Sequence, residues 1–293
     1  MRIVFIGAVS FSASMLEVLL RMKAEIVGVC TLSRAPSNSD HADLSEQAHR
    51  AGIPVLDAPD INAAQAVEWI RRLAPDVIFC LGWSRLIRPE LLGLAPLGVV
   101  GYHPAELPAN RGRHPLIWAL ALGLEKTAST FFLMDEGADS GDILSQLSVP
   151  IQSTDDAASL YERITDVAAA QLRDMVLALA SGRYDQRPQD TSQANLWRKR
   201  GRLDGQIDWR MTAVSIHNLV RALTKPYPGA HFVHHDLECK VWKAEIVPEP
   251  RRNLEPGKVL AIDASGFTVK AGVDAVRMLM VEPLPALRLG DYL

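Results

Sequence analysis

Cysteine is scarce in this 293-residue chain. Cys30, Cys80 and Cys239 are an odd number at wide spacing, which excludes a disulfide framework and fits buried thiols in a reducing compartment. An excess of one charge is missing too. The formal net charge of −3 argues against a surface built for nucleic acid or an anionic membrane. No stretch reaches the ~20 apolar residues of a membrane span. The N-terminal run IVFIGAVSFSASMLEVLL mimics a signal peptide, but Ser10, Ser12, Ser14 and Glu17 interrupt it, and Arg21 and Lys23 follow at once. A cytoplasmic protein is expected. Phosphate-binding signatures are also lacking. Gly7 follows the first strand, yet GAVSFSAS holds no G-x-G-x-x-G and no phosphate-loop lysine follows, so Gly7 is read as a turn glycine.

What is present is an ordinary globular composition, 48% hydrophobic and 22% charged. Short apolar runs at Ile3–Ile6, Glu25–Cys30, Val77–Leu81 and Val99–Tyr102 suit parallel strands buried on both faces. Helical patterns lie between them, as in Ala63–Leu73, where Ala66, Trp69, Ile70 and Leu73 share a face. This alternation predicts an α/β fold with a doubly wound parallel sheet. Ser153-Thr154-Asp155-Asp156 caps a long helix ending near Gly182. Polar residues 184–202 then read as a surface connector between a domain at 1–183 and one at 203–293. The second domain opens with a helix at Ala213–Thr224. Its runs Cys239–Val247, Val259–Ile262, Phe267–Ala271 and Val276–Val281, separated by turn residues, predict a small antiparallel barrel or sandwich.

The chemistry gathers between Gly98 and Leu144. The strand Gly98–Val100 delivers His103 to its carboxyl end, Pro104 fixes the direction that follows, and Asn110-Arg111-Gly112-Arg113-His114 is read as a helix start. Asp139 arrives in the acidic turn Asp135–Asp142 after a second apolar strand. An imidazole, a carboxamide and a carboxylate beyond sheet ends are the parts of an acyl-transfer site. An imidazolium there stabilises an oxyanion or shuttles a proton, and a carboxylate tucked against it accepts a proton from an amine. Asp135, Glu136 and Asp142 taken alone read as a solvated turn, and Arg111 as equally a charged helix start or a functional group. The acidic loop lacks calcium-hand spacing, and HHDLE around His234-His235-Asp236 reads as a hairpin turn, so no metal site is expected.

These stretches resemble the folate-dependent formyltransferases, comprising methionyl-tRNA formyltransferase and the amino-sugar N-formyltransferases. The motifs that carry the likeness are MRIVFIGAVSFSASMLEVLL, LGWSRLIRPELL, HPAELPANRGRHPLIWAL, MDEGADSGDIL and DGQIDWR…RALTKPYPGAHF, with KVWKAEI and the terminal GDYL extending it. The resemblance implies a Rossmann-like domain that binds N10-formyltetrahydrofolate and a smaller β-rich, OB-like C-terminal domain. It implies that a substrate amine attacks the formyl carbon, while an Asn-x-His pair and a distant Asp manage the tetrahedral intermediate. His103 and Asp139 match the family's His and Asp. Arg85, Leu86 and Ile87 match the segment that grips the pterin, as does the turn Asp135, Glu136, Gly137, Ala138 and Asp139. Arg113 matches an arginine of the folate-pocket motif.

The family's Asn, two residues before the His, is Gly101 here. Asn110, where relatives often carry an aromatic residue, is the nearest candidate to supply the missing amide, in a turn that folds back toward room left open at Gly101. The competing reading makes Asn110 an N-cap of the helix carrying Trp118. For the acceptor, a small amine is expected over tRNA. The segment Ser33–Asp43 is short and has no lysine run, unlike the basic tRNA-contacting insertion, and residues 200–293 hold 13 Lys and Arg against 11 Asp and Glu. Asn38-Ser39-Asp40 and Asp43-Leu44 are similar to sugar N-formyltransferases, including those acting on nonulosonic or pseudaminic-type sugars. The expected partner is therefore an amino sugar, with no nucleic acid and no membrane. The alternatives are a methionyl-tRNA formyltransferase, or a folate-binding relative with little catalysis. The sequence does not set the oligomeric state, and a homodimer is compatible with it.

Overall fold

The computed structural model describes residues 1–35 and 39–293. The first elements are β1 (Arg2–Ile6), α1 (Ser10–Arg21), β2 (Glu25–Thr31), α2 (Ser45–Arg50), β3 (Val55–Asp57), α3 (Ala64–Arg72), β4 (Val77–Cys80), α4 (Pro89–Leu92) and β5 (Val99–His103). They are followed by β6 (Arg111–Gly112), α5 (Pro115–Ala121), β7 (Lys126–Leu133), β8 (Ile143–Pro150), α6 (Ala157–Ser181) and β9 (Leu196–Trp197). The main sheet runs β3-β2-β1-β4-β5-β7-β8. Strands β1 to β5 pair in parallel, and β7 runs antiparallel to β5. The parallel strands read as unbroken apolar runs because both faces are covered. Val4 and Ile6 pack with Val67 and Ile70 of α3 on one face, while Ile3 and Phe5, also fully buried, face the other way.

Strand order reverses between β1 and β4, so the turns after β1, β4 and β5 border the crevice where such sheets bind ligands. Gly7, the first of these turns, has the structural role expected of it. A Cβ there would sit 2.5 Å from that of Ser12 and 2.7 Å from the Leu81 carbonyl oxygen. Ser12 Oγ donates to that carbonyl at 2.6 Å, locking the β1 turn against the end of β4. All three cysteines are buried and free. Burial pushes the Cys30 thiol up to about 12, which makes it an inert packing group.

The chain separates into two compact units. One comprises Met1–Pro115, Thr127–Val149 and Glu162–Trp197 and holds the main sheet; the other comprises Leu116–Lys126, Pro150–Tyr161 and Arg198–Leu293. In the second unit α7 (Ala213–Leu223) starts on a Thr212 side-chain cap. It packs against an antiparallel sheet whose strands are β10 (Ala230–His234), β11 (Leu237–Val247), β12 (Val259–Asp263), β13 (Gly266–Lys270) and β14 (Ala275–Glu282). This sheet runs β10-β11-β14-β13-β12, which is the β-rich region anticipated from the turn-punctuated sequence. His235 and Asp236 turn between β10 and β11 with φ of 47° and 63°. Positive φ at both central residues is the primed geometry a two-residue hairpin requires. No helix among the described residues is long and apolar enough to cross a membrane.

Candidate active site

Val99 and Val100 anchor β5 in the core and carry His103 to the strand's carboxyl end, where the imidazole is only 5% exposed. The turn beyond it is held by threonines of β7. Thr127 Oγ1 donates to the Pro104 carbonyl at 2.9 Å, and Thr130 Oγ1 to that of Ala105 at 2.7 Å. This brings the Asn110 carbonyl to 2.7 Å from His103 Nε2. A carbonyl can only accept, so Nε2 carries a proton and Nδ1 is left as the position that can exchange one. Nδ1 faces Asp139 Oδ2 at 3.6 Å. Asp139 sits in the left-handed region with φ 55°, and the same Oδ2 accepts from the Gly112 N–H at 2.9 Å. His103, Asp139 and Asn110 therefore meet, with Asn110 contributing its main chain. The Asn110 side chain has no hydrogen-bond partner among the described residues, and its N–H is held by Asn195 Oδ1 at 2.7 Å.

Two expectations about this loop need correction. Residues 110–114 do not open a helix: Arg111–Gly112 pair with Leu196–Trp197 as β6 and β9, and α5 begins at Pro115. Asn110, Gly112 and His114 have φ of 65°, 103° and 59°, a left-handed alternation that no right-handed helix accepts, so Asn110 is not an N-cap. Nor does Gly101 leave open room. A Cβ there would meet Met134 Cγ at 2.8 Å and the Phe132 ring at 3.0 Å.

The segments expected to hold folate lie in the same unit. Arg85 and Leu86 are exposed, Leu86 by 64%, whereas Ile87 is buried in the core. Asn62 clasps this turn, donating to the Leu86 carbonyl at 2.9 Å and accepting from the Arg88 N–H at 2.8 Å. Arg113 donates to the Ser84 carbonyl at 2.7 Å, joining the motif after β5 to the one after β4. Asp135 to Ala138 are exposed, and Asp135 Oδ1 closes their turn by accepting from Gly137 N–H and Ser140 Oγ at 3.0 and 2.7 Å. Trp83 Nε1 is a buried donor with no partner among the described residues, and the Arg85 guanidinium lies 6.0 Å from the Trp83 ring centre. An orphaned donor beside an exposed, backbone-rich turn fits a heterocyclic ligand with acceptor edges. Of the segment Ser33–Asp43, residues 36–38, including Asn38, lie outside the described residues. Among the described residues no cluster of three or more His, Cys, Asp or Glu is arranged to hold a metal ion.

Comparison with known proteins decides the family. Residues 1–176 match the formyl transferase domain and residues 202–285 the formyl transferase C-terminal domain. The chain belongs to the formyl transferase family. It is 30% identical over 286 residues to a methionyl-tRNA formyltransferase of Acidithiobacillus ferrooxidans, covering 96% of this chain and 91% of that one. Two solved structures share the fold at TM-score 0.71. One is the sugar 3N-formyltransferase WlaRD, solved with dTDP and 5-N-formyl-THF, at 18% identity over 95% of this chain and 97% of that one. The other is an N-formyltransferase from Helicobacter canadensis, solved with folinic acid and dTDP-3-aminofucose, at 17% identity over 94% and 98%. The resemblance read from the ordered motifs, to a folate-dependent formyltransferase, thus holds for family and reaction class.

Residues that the motifs do not mark are hydrogen-bonded beside His103 and Asp139 as well. The polar stretch after α6, read as a connector, belongs up to Trp197 to the first unit and is hydrogen-bonded within it. Arg187 exchanges main-chain bonds with Ile143, Asn195 and Trp197 carbonyls accept from Arg111 and Arg113, and Gln189 reaches the Asp139 turn. Its composition is that of a solvated linker, and only the three-dimensional pairing gives these residues a place beside His103.

Proposed function

We propose that this formyl transferase moves the formyl group of N10-formyltetrahydrofolate onto the primary amine of an amino sugar, either nucleotide-linked or of the nonulosonic or pseudaminic type. The folate supplies an electrophilic formyl carbon. Arg85, Leu86 and Ile87, the Asp135–Ala138 turn and Arg113 would hold it, with the Trp83 donor and main-chain groups of the two turns available to its polar edges. His103 and Asp139 handle protons. The Asn110 carbonyl occupies Nε2, so His103 acts through Nδ1. The gap of 3.6 Å to Asp139 is wider than a hydrogen bond and leaves both groups able to engage a reacting centre beside them. Asp139 accepts the proton lost by the attacking amine, and protonated His103 donates toward the oxygen on which charge develops. Asp139 then passes that proton to the departing folate nitrogen as the carbon–nitrogen bond breaks, so the pair ends in its starting state. With Gly101 lacking an amide, Asn110 remains the candidate for a second donor, since its carboxamide is uncommitted and its backbone touches His103.

The observation that carries the choice of acceptor is the ion pairing of five arginines in the C-terminal unit. Arg198 pairs with Asp204, Arg202 with Glu238, Arg210 with Asp208, Arg251 with Glu249 and Arg277 with Asp263. Such exposed pairs add little stability, but each offsets an arginine that a phosphate backbone would otherwise meet. Arg200 stacks 4.5 Å from the Trp118 ring centre and is likewise committed. The 30% identity to a methionyl-tRNA formyltransferase supports tRNA as the competing acceptor. A panel containing dTDP-linked amino sugars, a free amino nonulosonate and initiator Met-tRNA, each with the folate donor, separates the readings. The expected result is a kcat/KM for one sugar at least a hundredfold above that for the tRNA. Efficient formylation of the tRNA and of no sugar overturns the sugar assignment.

A further inference from the structure

The two catalytic candidates need a reason to stay in register, because Asp139 lies on an exposed acidic turn in a left-handed conformation that costs a non-glycine residue energy. One side chain from outside the motif regions supplies it. Gln189 Nε2 donates to the Asp139 carbonyl at 2.9 Å and to the Gly141 carbonyl at 2.7 Å. Its Oε1 accepts from Arg111 Nε at 3.1 Å and from Arg111 Nη2 at 2.7 Å. Both amide protons and both lone pairs are used, which fixes the carboxamide's orientation without ambiguity. Arg111 adjoins Gly112, the residue whose N–H holds the Asp139 carboxylate. The amide thus ties the backbone of the acidic turn to the strand that grips its side chain.

The other half of the pair is held from the same stretch. Asn195 Oδ1 accepts from the Asn110 N–H at 2.7 Å, and the Asn110 carbonyl is the acceptor of His103 Nε2. Gly112 allows the approach: with φ 103°, a Cβ there would meet the Trp197 carbonyl oxygen at 2.3 Å. Residues 189–197 lie between the two regions matched by the formyl transferase domains, 1–176 and 202–285.

We infer that the 189–197 segment is a positioning element for catalysis: Gln189 sets the Asp139 carboxylate against His103, and Asn195 sets the carbonyl that fixes the His103 proton. The inference rests on the reading of His103 and Asp139 as the proton-handling pair. Neither Gln189 nor Asn195 touches the reacting atoms, so their loss acts through geometry. A misplacement of order 1 Å at a reacting group costs about a hundredfold in rate.

The test compares Gln189→Glu, Gln189→Met and Asp139→Asn, alone and combined, in steady-state formyl transfer, with thermal unfolding and folate binding measured on each. Gln189→Glu keeps the shape and the acceptors for Arg111 but removes both donors to the turn. The expected result is a tenfold to hundredfold fall in kcat for either Gln189 variant, with folate affinity within threefold of wild type. Adding either change to Asp139→Asn should produce no further fall, because the carboxylate it positions is already gone. An equal fall in both backgrounds, or parallel losses of folate affinity and kcat, would show a merely structural residue and overturn the inference. Should Gln189→Met unfold, Gln189→Glu carries the comparison; should both unfold, Gln189 serves folding and the inference fails. Normal turnover in Asp139→Asn would instead overturn the catalytic pair itself, whereas an inactive Asp139→Asn beside a normal Gln189→Glu overturns only the positioning role.

Discussion

Replacing His103 by Ala, or Asp139 by Asn, is expected to lower turnover by about 10² to 10⁴-fold, the usual worth of a positioned acid–base group. Asp139→Asn is the cleaner variant. Asn tolerates the left-handed conformation at φ 55° and can still accept from the Gly112 N–H, so the turn survives while the proton acceptor is lost. His103→Ala removes a side chain from a buried site and frees the Asn110 carbonyl, so some destabilisation accompanies it. In both variants folate affinity should change far less than rate, because the interaction is made chiefly in the transition state. Single-turnover rates together with folate titration check this. Turnover within a fewfold of wild type in either variant would make the pair structural.

The second large effect is expected at Gly101. Installing the family's amide by Gly101→Asn should not improve the enzyme. It should destabilise the fold by about 1–3 kcal/mol, the cost of forcing extra atoms into a packed core. Met134 Cγ and the Phe132 ring occupy the volume the new Cβ requires, and Met134 also packs against Leu107, Phe132 and Ile143. Shortening the obstruction in the double variant Gly101→Asn/Met134→Ala should relieve the steric conflict and give a rate at or above that of Gly101→Asn alone. Thermal unfolding of the wild type, both singles and the double measures the coupling. A Gly101→Asn variant as stable as wild type would mean that Met134 moves aside at no cost.

Much of the fold was legible because its signals are local. Uninterrupted apolar runs such as Ile3–Ile6 and Val77–Cys80 mark doubly covered strands, and the turn residues His235-Asp236 mark a hairpin. The meeting of His103 and Asp139 was legible because one ends a strand and the other follows a strand, each within a recognisable motif. The stretch 110–114 departs from its sequence pattern for a physical reason. Asn followed by Arg-Gly-Arg-His-Pro has the composition of a capped helix, but three left-handed residues within it bend the chain into a strand whose partner, Leu196–Trp197, is remote in sequence. The roles of Gln189 and Asn195 had no local signal, since polar residues in a polar stretch acquire meaning only through what they reach. Likewise the closure of the Gly101 space by Met134 depends on the antiparallel pairing of β5 with β7, which no spacing in the sequence specifies.

The proposed chemistry passes a formyl group from folate to a sugar amine through His103 and Asp139. The most direct measurement follows an isotopically labelled formyl group of N10-formyltetrahydrofolate by mass spectrometry and NMR in a single turnover with a dTDP-linked amino sugar or amino nonulosonate. The label is expected as a formamide on the sugar nitrogen with wild-type protein, and on the folate alone with Asp139→Asn. Label that stays on tightly bound folate with wild-type protein and every amine offered, or that reaches the sugar equally well with Asp139→Asn, would contradict it.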